Sequence, residues 1–158
     1  MGPRELIERL GLKPHPEGGQ YSEVFRSEHR VSVPATGADR AALTAIHYLL
    51  CEGERSRWHR VRSDEVWHHA DGGPLELLLL SPDMVELKRM TLGPLADGHA
   101  PMVVVPAFWW QAARPLGSYA LCSCLVAPGF EFADFTFMHD AADLARLAER
   151  HPAMLELL

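Results

Sequence analysis

The sequence predicts an all-β domain, an antiparallel sandwich or barrel of jelly-roll type, with a short helix at each end. Three observations predict it. Between about residues 20 and 137 the chain breaks into apolar and β-branched runs of four to eight residues, each bounded by turn chemistry. No helical periodicity interrupts those runs, so the crossovers that a parallel sheet requires are missing. Helical spacing of apolar residues occurs only near the two termini.

In chain order, "PRELIERLGL" reads as helix, with Pro3 in the first turn, Leu6, Ile7 and Leu10 on one face, and Gly11 as the stop. "HPEGGQ" makes a shaped turn, and "YSEVFRS", "LTAIHYLL", "SRWHRV", "DEVWHH", "LELLLL", "VELKRMTL", "MVVVP", "YALCSCLV" and "FADFTF" follow as strands. "ATGAD", "CEGE", "DGGP", "SPD", "LGPLADG", "RPLGS" and "APG" separate them. The closing helix spans 140–158, with Asp140 as N-cap, Leu144, Leu147 and Ala148 on one face, and a break or restart at Pro152. The sequence contains no internal repeat and no linker, so residues 1–158 are expected to form one domain.

Composition removes several functions. The 158 residues carry a net charge of -6 with Arg and Lys scattered, so no nucleic-acid surface is expected. "LELLLL" and "MVVVPAFWW" are too short to cross a bilayer. The N-terminus lacks both a secretory pattern and the hydroxyl residue of a myristoylation motif, since Leu6 stands there. The odd set Cys51, Cys122 and Cys124 suits a reducing compartment, so a cytoplasmic location is expected.

The stretch "GERSRWHRVRSDEVWHHADG" concentrates the chemistry. Strand alternation puts Arg57, His59 and Val61 on one face, and Glu65, Trp67 and His69 on one face of the next strand. Fully extended, His59 and Glu65 would lie roughly 20 Å apart, so they cooperate only if a tight hairpin forms at Arg62-Ser63. The spacing Gly53, His59, Val61, Glu65, Gly72 resembles the first cupin motif, with valine in place of its second histidine. The second motif is altered: Pro106 is present, Phe108 takes the glycine position and Gln111 the last histidine position. "HPEGGQYSEVFRS", "WHRVRSDEVWHH", "VVPAFWWQAA" and "VAPGFEFADF" together resemble the cupin subfamily "DUF985", cupin type five. That resemblance implies a double-stranded β-helix, the cupin jelly-roll barrel, assembled as a homodimer with a small-molecule pocket in the barrel mouth. The subfamily label carries no reaction.

Three functions compete. The first is metal-free acid–base chemistry, in which His59 abstracts a proton next to a carbonyl, Glu65 orients it, and Tyr119 or Tyr21 rather than Tyr48 supplies the opposing acid. Its products are epimers, isomers or dehydrated compounds of a sugar-like or polar metabolite, and it requires no cofactor. The second is a weakly bound divalent ion (manganese, iron, nickel or zinc) on His59, Glu65 and Gln111. His69, about 13 Å along the strand from Glu65, would join that set only through a bulge. The third is a ligand-binding module without chemistry. Other expected pocket contacts are His47, Trp67 as a wall, His69, Gln111, Glu23, Arg26 against a carboxylate or phosphate, and an inward Asp134. Cys122 and Cys124 receive no role, and His15, His29, His99, His139 and His151 are expected at the surface.

Overall fold

Helix α1 (Pro3–Leu10) ends at Gly11, whose left-handed φ of 60° sends the chain into β1 (Lys13–Pro14). The computed structural model describes residues 2–158. The remaining strands are β2 (Gln20–Arg26), β3 (Arg30–Ser32), β4 (Asp39–Ala41), β5 (Thr44–Cys51), β6 (Ser56–Val61), β7 (Asp64–Gly72), β8 (Leu75–Leu80), β9 (Leu87–Leu92), β10 (Met102–Val105), β11 (Trp110–Pro115), β12 (Tyr119–Ala127) and β13 (Phe135–Phe137). They form a six-stranded sheet in the order β1-β2-β5-β12-β7-β10, a five-stranded sheet in the order β13-β6-β11-β8-β9, and the small hairpin β3-β4. The named strand pairs are antiparallel, as the sequence predicts for a jelly roll.

The core lies between the two large sheets. Leu75, Leu77 and Leu79 point into it from β8, and meet Tyr48, Leu50, Trp67, Val103, Val105, Cys122 and Cys124 from the opposite sheet. Leu78 and Leu80 point the other way, under α2 (Ala141–Arg150), where Trp58, Trp110, Leu147, Met154 and Leu157 complete a second cluster. Two buried faces explain why "LELLLL" does not alternate. Asp140 caps α2 by accepting from the Ala142 N–H at 2.9 Å, and Pro152 restarts the chain as a 3-10 helix over Pro152–Leu157. No helix among the described residues is long and apolar enough to cross a membrane.

Three details depart from the sequence expectation. Residues Trp110–Pro115 form a central strand, because Trp110 and Ala112 are buried under α2 while Gln111 and Ala113 are buried inside, which leaves no polar alternation to read. "FADFTF" is a strand only over Phe135–Phe137, with a 3-10 turn at Phe132–Asp134. Most consequential, Arg62-Ser63 is not a hairpin turn. β6 pairs with β11 and β13, and β7 pairs with β12 and β10. The chain changes sheet there, so His59 and Glu65 face each other across the barrel rather than along a ladder.

Candidate functional site

A cavity of about 260 Å³ opens at one end of the barrel. Its floor holds His59 from β6, Glu65 from β7, and Glu17 from the loop that precedes β2. That loop reaches inward because its glycines permit it. Gly18 has φ 116°, and a Cβ there would collide with the Arg55 carbonyl. Gly19 has φ 70°, with its ideal Cβ position 2.6 Å from the Leu49 carbonyl oxygen. The Arg57 N–H, donating to the Glu17 carbonyl at 3.0 Å, pins the loop to the start of β6.

Both nitrogens of His59 are engaged. Nδ1 lies 2.7 Å from the Arg57 carbonyl oxygen, which only accepts, so Nδ1 carries a proton. Nε2 lies 3.1 Å from Glu17 Oε2, and both side chains are buried. This contact favours a proton on one of the two atoms, since two bare acceptors at that distance would repel. Burial lowers the imidazole of His59, with the nearby Glu65 opposing that shift, and burial raises the carboxyl of Glu17. Ser56 Oγ donates to Glu17 Oε1 at 3.0 Å, and Phe135 stacks on the His59 ring at 5.0 Å.

Glu65 differs. Gln111 Nε2 donates to its Oε2 at 2.6 Å, and Oε1 has no hydrogen-bond donor among the described residues. Burial pushes this carboxyl up to about 7, against the pull of His59. The orientation of Gln111 is fixed, because its Oε1 accepts from the Trp67 indole N–H at 2.8 Å. Its amide therefore serves Glu65 and Trp67. Its oxygen is engaged by the indole and its nitrogen, not its oxygen, faces Glu65, an arrangement that does not suit the expected ion set of His59, Glu65 and Gln111. Among the described residues no group of three or more His, Cys, Asp or Glu side chains is placed to hold one.

The walls and rim combine Tyr21, Ile46, Val126, Cys124 and the aromatic segment Phe130, Phe132 and Phe135. Arg26 and Glu23 line the mouth, but the guanidinium is spent: it donates to Glu23 at 3.0 and 2.8 Å and to Glu131 at 3.0 Å. It is therefore not an anchor waiting for a ligand carboxylate. Lys13, whose Nζ lies 5.3 Å from the Tyr21 ring centroid, is the other cation at the cavity.

Several sequence candidates lie elsewhere. Tyr119 is outside the cavity, its hydroxyl donating to Asp71 at 3.1 Å, so it is not the opposing acid. His69 shares the Glu65 face but sits at the far end of β7, against the Gly73 carbonyl oxygen at 3.1 Å; the irregularity beside it, between His69 and Asp71, does not bring it back. His47 points to the outer face of its sheet, opposite the Ile46 face that lines the cavity. Trp67 lies under the floor, buried in the core, rather than in the wall. Asp134 turns away from the cavity and binds Arg40 bidentately at 2.7 and 3.0 Å.

Sequence reasoning missed Glu17, and it placed His15 at the surface, whereas the His15 side chain is only 6% exposed and lines the cavity. The one available signal was "HPEGG", a glycine pair that lets backbone pass close to other backbone and so carry its polar neighbours inward.

Comparison with known proteins bears on this arrangement. A family model described as "Cupin superfamily (DUF985)" matches residues 4–138. A hypothetical protein from Leishmania major is 32% identical, with a TM-score of 0.89, covering 99% of this chain and 97% of its own. Protein SO0799 from Shewanella oneidensis gives the same identity and coverage with a TM-score of 0.86. The uncharacterized protein YML079W of Saccharomyces cerevisiae is 28% identical over 91% of this chain and 79% of its own length.

Proposed function

The chain belongs to the cupin superfamily (DUF985), and from that premise we propose that it is an enzyme that moves a proton next to the carbonyl of a small polar metabolite, giving isomerisation, epimerisation or elimination. The observation that carries this reading is the pairing of a buried carboxyl open to the cavity, Glu65, with a buried proton-sharing pair, His59 and Glu17, on the same floor. A group that titrates near neutrality can both take and return a proton at working pH. Two sets of titratable groups in one cavity divide into a base and an acid.

The roles differ from the sequence expectation. In this reading His59 is not the open base, because Nδ1 donates to Arg57 and Nε2 faces the Glu17 carboxyl at 3.1 Å. Glu65 takes the substrate proton through Oε1, and the His59–Glu17 pair returns one to the developing anion. Tyr21, on the wall, is the tyrosine within reach of a ligand. Lys13 is the cation left to meet an anionic end of the substrate, since Arg26 is paired. Ligand carriage alone does not call for this floor: burying three titratable groups costs stability that neutral amides would not. The reading includes a homodimer in a reducing compartment. Val24 and Phe25 on β2 and, at the opposite edge of the same sheet, Met102 and Val104 on β10 are exposed apolar side chains that a second copy could cover, and Cys51, Cys122 and Cys124 are free thiols. Light scattering across a dilution series checks the dimer.

Solvent exchange tests the chemistry. Incubated in D2O with a library of enolisable aldehydes, ketones and 2-oxo acids, the wild type should exchange the α-proton of at least one compound. Glu65→Gln should slow that exchange roughly 100-fold or more, the size expected for removing a general base. A wild type that exchanges none of the library, or a Glu65→Gln variant that exchanges as fast, overturns the proposal.

A further inference from the structure

Building on the proton-transfer reading, we infer that His15 donates a hydrogen bond through Nε2–H to the carbonyl oxygen of the substrate, which makes the ligand an enolisable aldehyde or ketone bound by its oxygen. The argument starts from the other ring nitrogen. The backbone N–H of Glu17 donates to His15 Nδ1 at 3.2 Å, so Nδ1 presents a lone pair and a neutral ring must carry its proton on Nε2. The Glu17 carboxylate oxygen near the same nitrogen is 3.7 Å away, too far for a hydrogen bond. Among the described residues Nε2 has no hydrogen-bond partner, nor is it one of the unpartnered polar atoms sealed from solvent; the ring lines the cavity, so Nε2–H opens onto it.

The ring is also held by aromatic neighbours. Tyr21 packs edge-on at 4.5 Å between centroids and Tyr48 at 5.8 Å, and Phe132 and Phe135 lie tilted to it at 6.2 and 6.4 Å. The charges that face it oppose one another: Glu17 favours the protonated ring, and His59 together with burial disfavours it, with burial the larger cause.

His15 and His59 therefore present opposite tautomers to one cavity. In His59 the proton is fixed on Nδ1 and Nε2 faces the Glu17 carboxyl at 3.1 Å; in His15 the lone pair is fixed on Nδ1 and Nε2–H is free to donate. Enolisation needs such an arrangement. The α C–H bond breaks and its proton passes to Glu65 Oε1, the bonding pair becomes the C=C bond, and the carbonyl π pair moves onto oxygen. A neutral imidazole N–H positioned there stabilises that oxygen without adding a charge that would depress the base. Collapse of the enolate with a proton from the His59–Glu17 pair, or from Glu65 on the neighbouring carbon, completes the transfer.

Nitrogen-15 NMR of histidine-labelled protein tests this without a known substrate. At pH 7, wild-type His15, assigned by its contacts to Tyr21 and by loss of its signals in His15→Gln, should appear as the neutral Nε2–H form, and His59 with its proton on Nδ1. Glycolohydroxamate, an uncharged mimic of an enediolate, should shift the His15 Nε2–H resonance on titration. His15→Phe should weaken its binding roughly tenfold, the scale of one lost hydrogen bond, and His15→Gln, which keeps an N–H donor, should retain most of the affinity. A His15 proton on Nδ1, a charged His15 at pH 7, or a His15 signal that glycolohydroxamate leaves unmoved overturns the inference. If the tautomers are as stated but no carbonyl compound exchanges its α-proton, the proton-transfer reading fails on its own while the donor assignment stands.

Discussion

At one end of the barrel interior Tyr48, Leu50, Trp67, Leu75, Leu77 and Leu92 interlock in a solid apolar core. At the other, the same strands enclose a cavity floored by Glu17, His59 and Glu65. The change occurs within single strands. Along β5 the inward residues run from Thr44 and Ile46 at the cavity to Tyr48 and Leu50 in the core, and along β12 from Val126 and Cys124 at the cavity to Cys122 and Ala120. Packing at the closed end stabilises the barrel, and buried titratable groups at the open end offset part of that stability. One fold thus separates its stability from its chemistry by a few residues of strand.

The largest effect expected from this contrast is at the closed end. Leu77 is fully buried, with neighbours on every side. Leu77→Ala should cost about 2–5 kcal/mol by urea denaturation, the range for a leucine cavity that cannot collapse. Ile46→Ala removes more than one methyl from a wall that already borders open space, and should cost roughly half as much. Equal losses would mean that the open end is as tightly packed as the closed one.

Next comes the pH dependence of the open end. Burial raises the Glu65 carboxyl from 4.5 to about 7 in the fold. The native state therefore holds a proton that the unfolded chain has released between those values, and the stability linked to Glu65 is full below pH 4.5 and lost as pH rises to about 7. Glu65→Gln cannot titrate and escapes that loss. Its stability relative to wild type should improve by about 3 kcal/mol between pH 4 and pH 8, read as the difference of two denaturation curves. His15 and His59, both lowered by burial, act with the opposite sign: their contribution is present above pH 6.5 and lost as pH falls through their native values. The His15 contribution is common to both proteins and cancels in the difference; Glu65 also acts on His59 and Glu17, so the loss of its charge in Glu65→Gln adds to the change that the difference reads. A gap that does not move with pH would show that the floor carries no strained carboxyl.

The two ends also differ in how far the sequence disclosed them. The closed end followed from strand alternation and turn residues, because apolar burial has a period that one chain displays by itself. His59, Glu65 and Tyr21 reached the cavity for the same reason: each lies on the inward face of a regular strand. Glu17 and His15 sit on a loop, where no period applies, and only the close passage of Gly18 and Gly19 over the Arg55 and Leu49 carbonyls brings them in. The partners of Gln111 and Arg26 were equally hidden, because a side chain's direction can be read from the strand but its hydrogen bonds depend on what the opposite sheet presents. The expected pairing of His59 with Glu65 failed at Arg62-Ser63, where a short polar link looks the same whether it joins neighbours in one sheet or crosses between two.

The smallest effect expected is at Phe108, in the segment that links β10 to β11 beside the cavity. In the motif this position is glycine, and Phe108 keeps the glycine conformation with φ 67°, its N–H donating to the carbonyl of the cavity residue Val61 at 2.9 Å. A left-handed conformation costs a residue with a Cβ roughly 1–2 kcal/mol, and glycine avoids it while giving up about 0.5–1 kcal/mol to its freer unfolded chain. Phe108 is 48% exposed, so removal of its ring forfeits little burial. Phe108→Gly should therefore stabilise the protein by roughly 0.5 kcal/mol, a shift of a degree or two in Tm for a chain of this size. A loss of 1 kcal/mol or more would instead show that the ring contributes to the cavity rim, and that the open end draws on packing that the contrast assigns to the closed one.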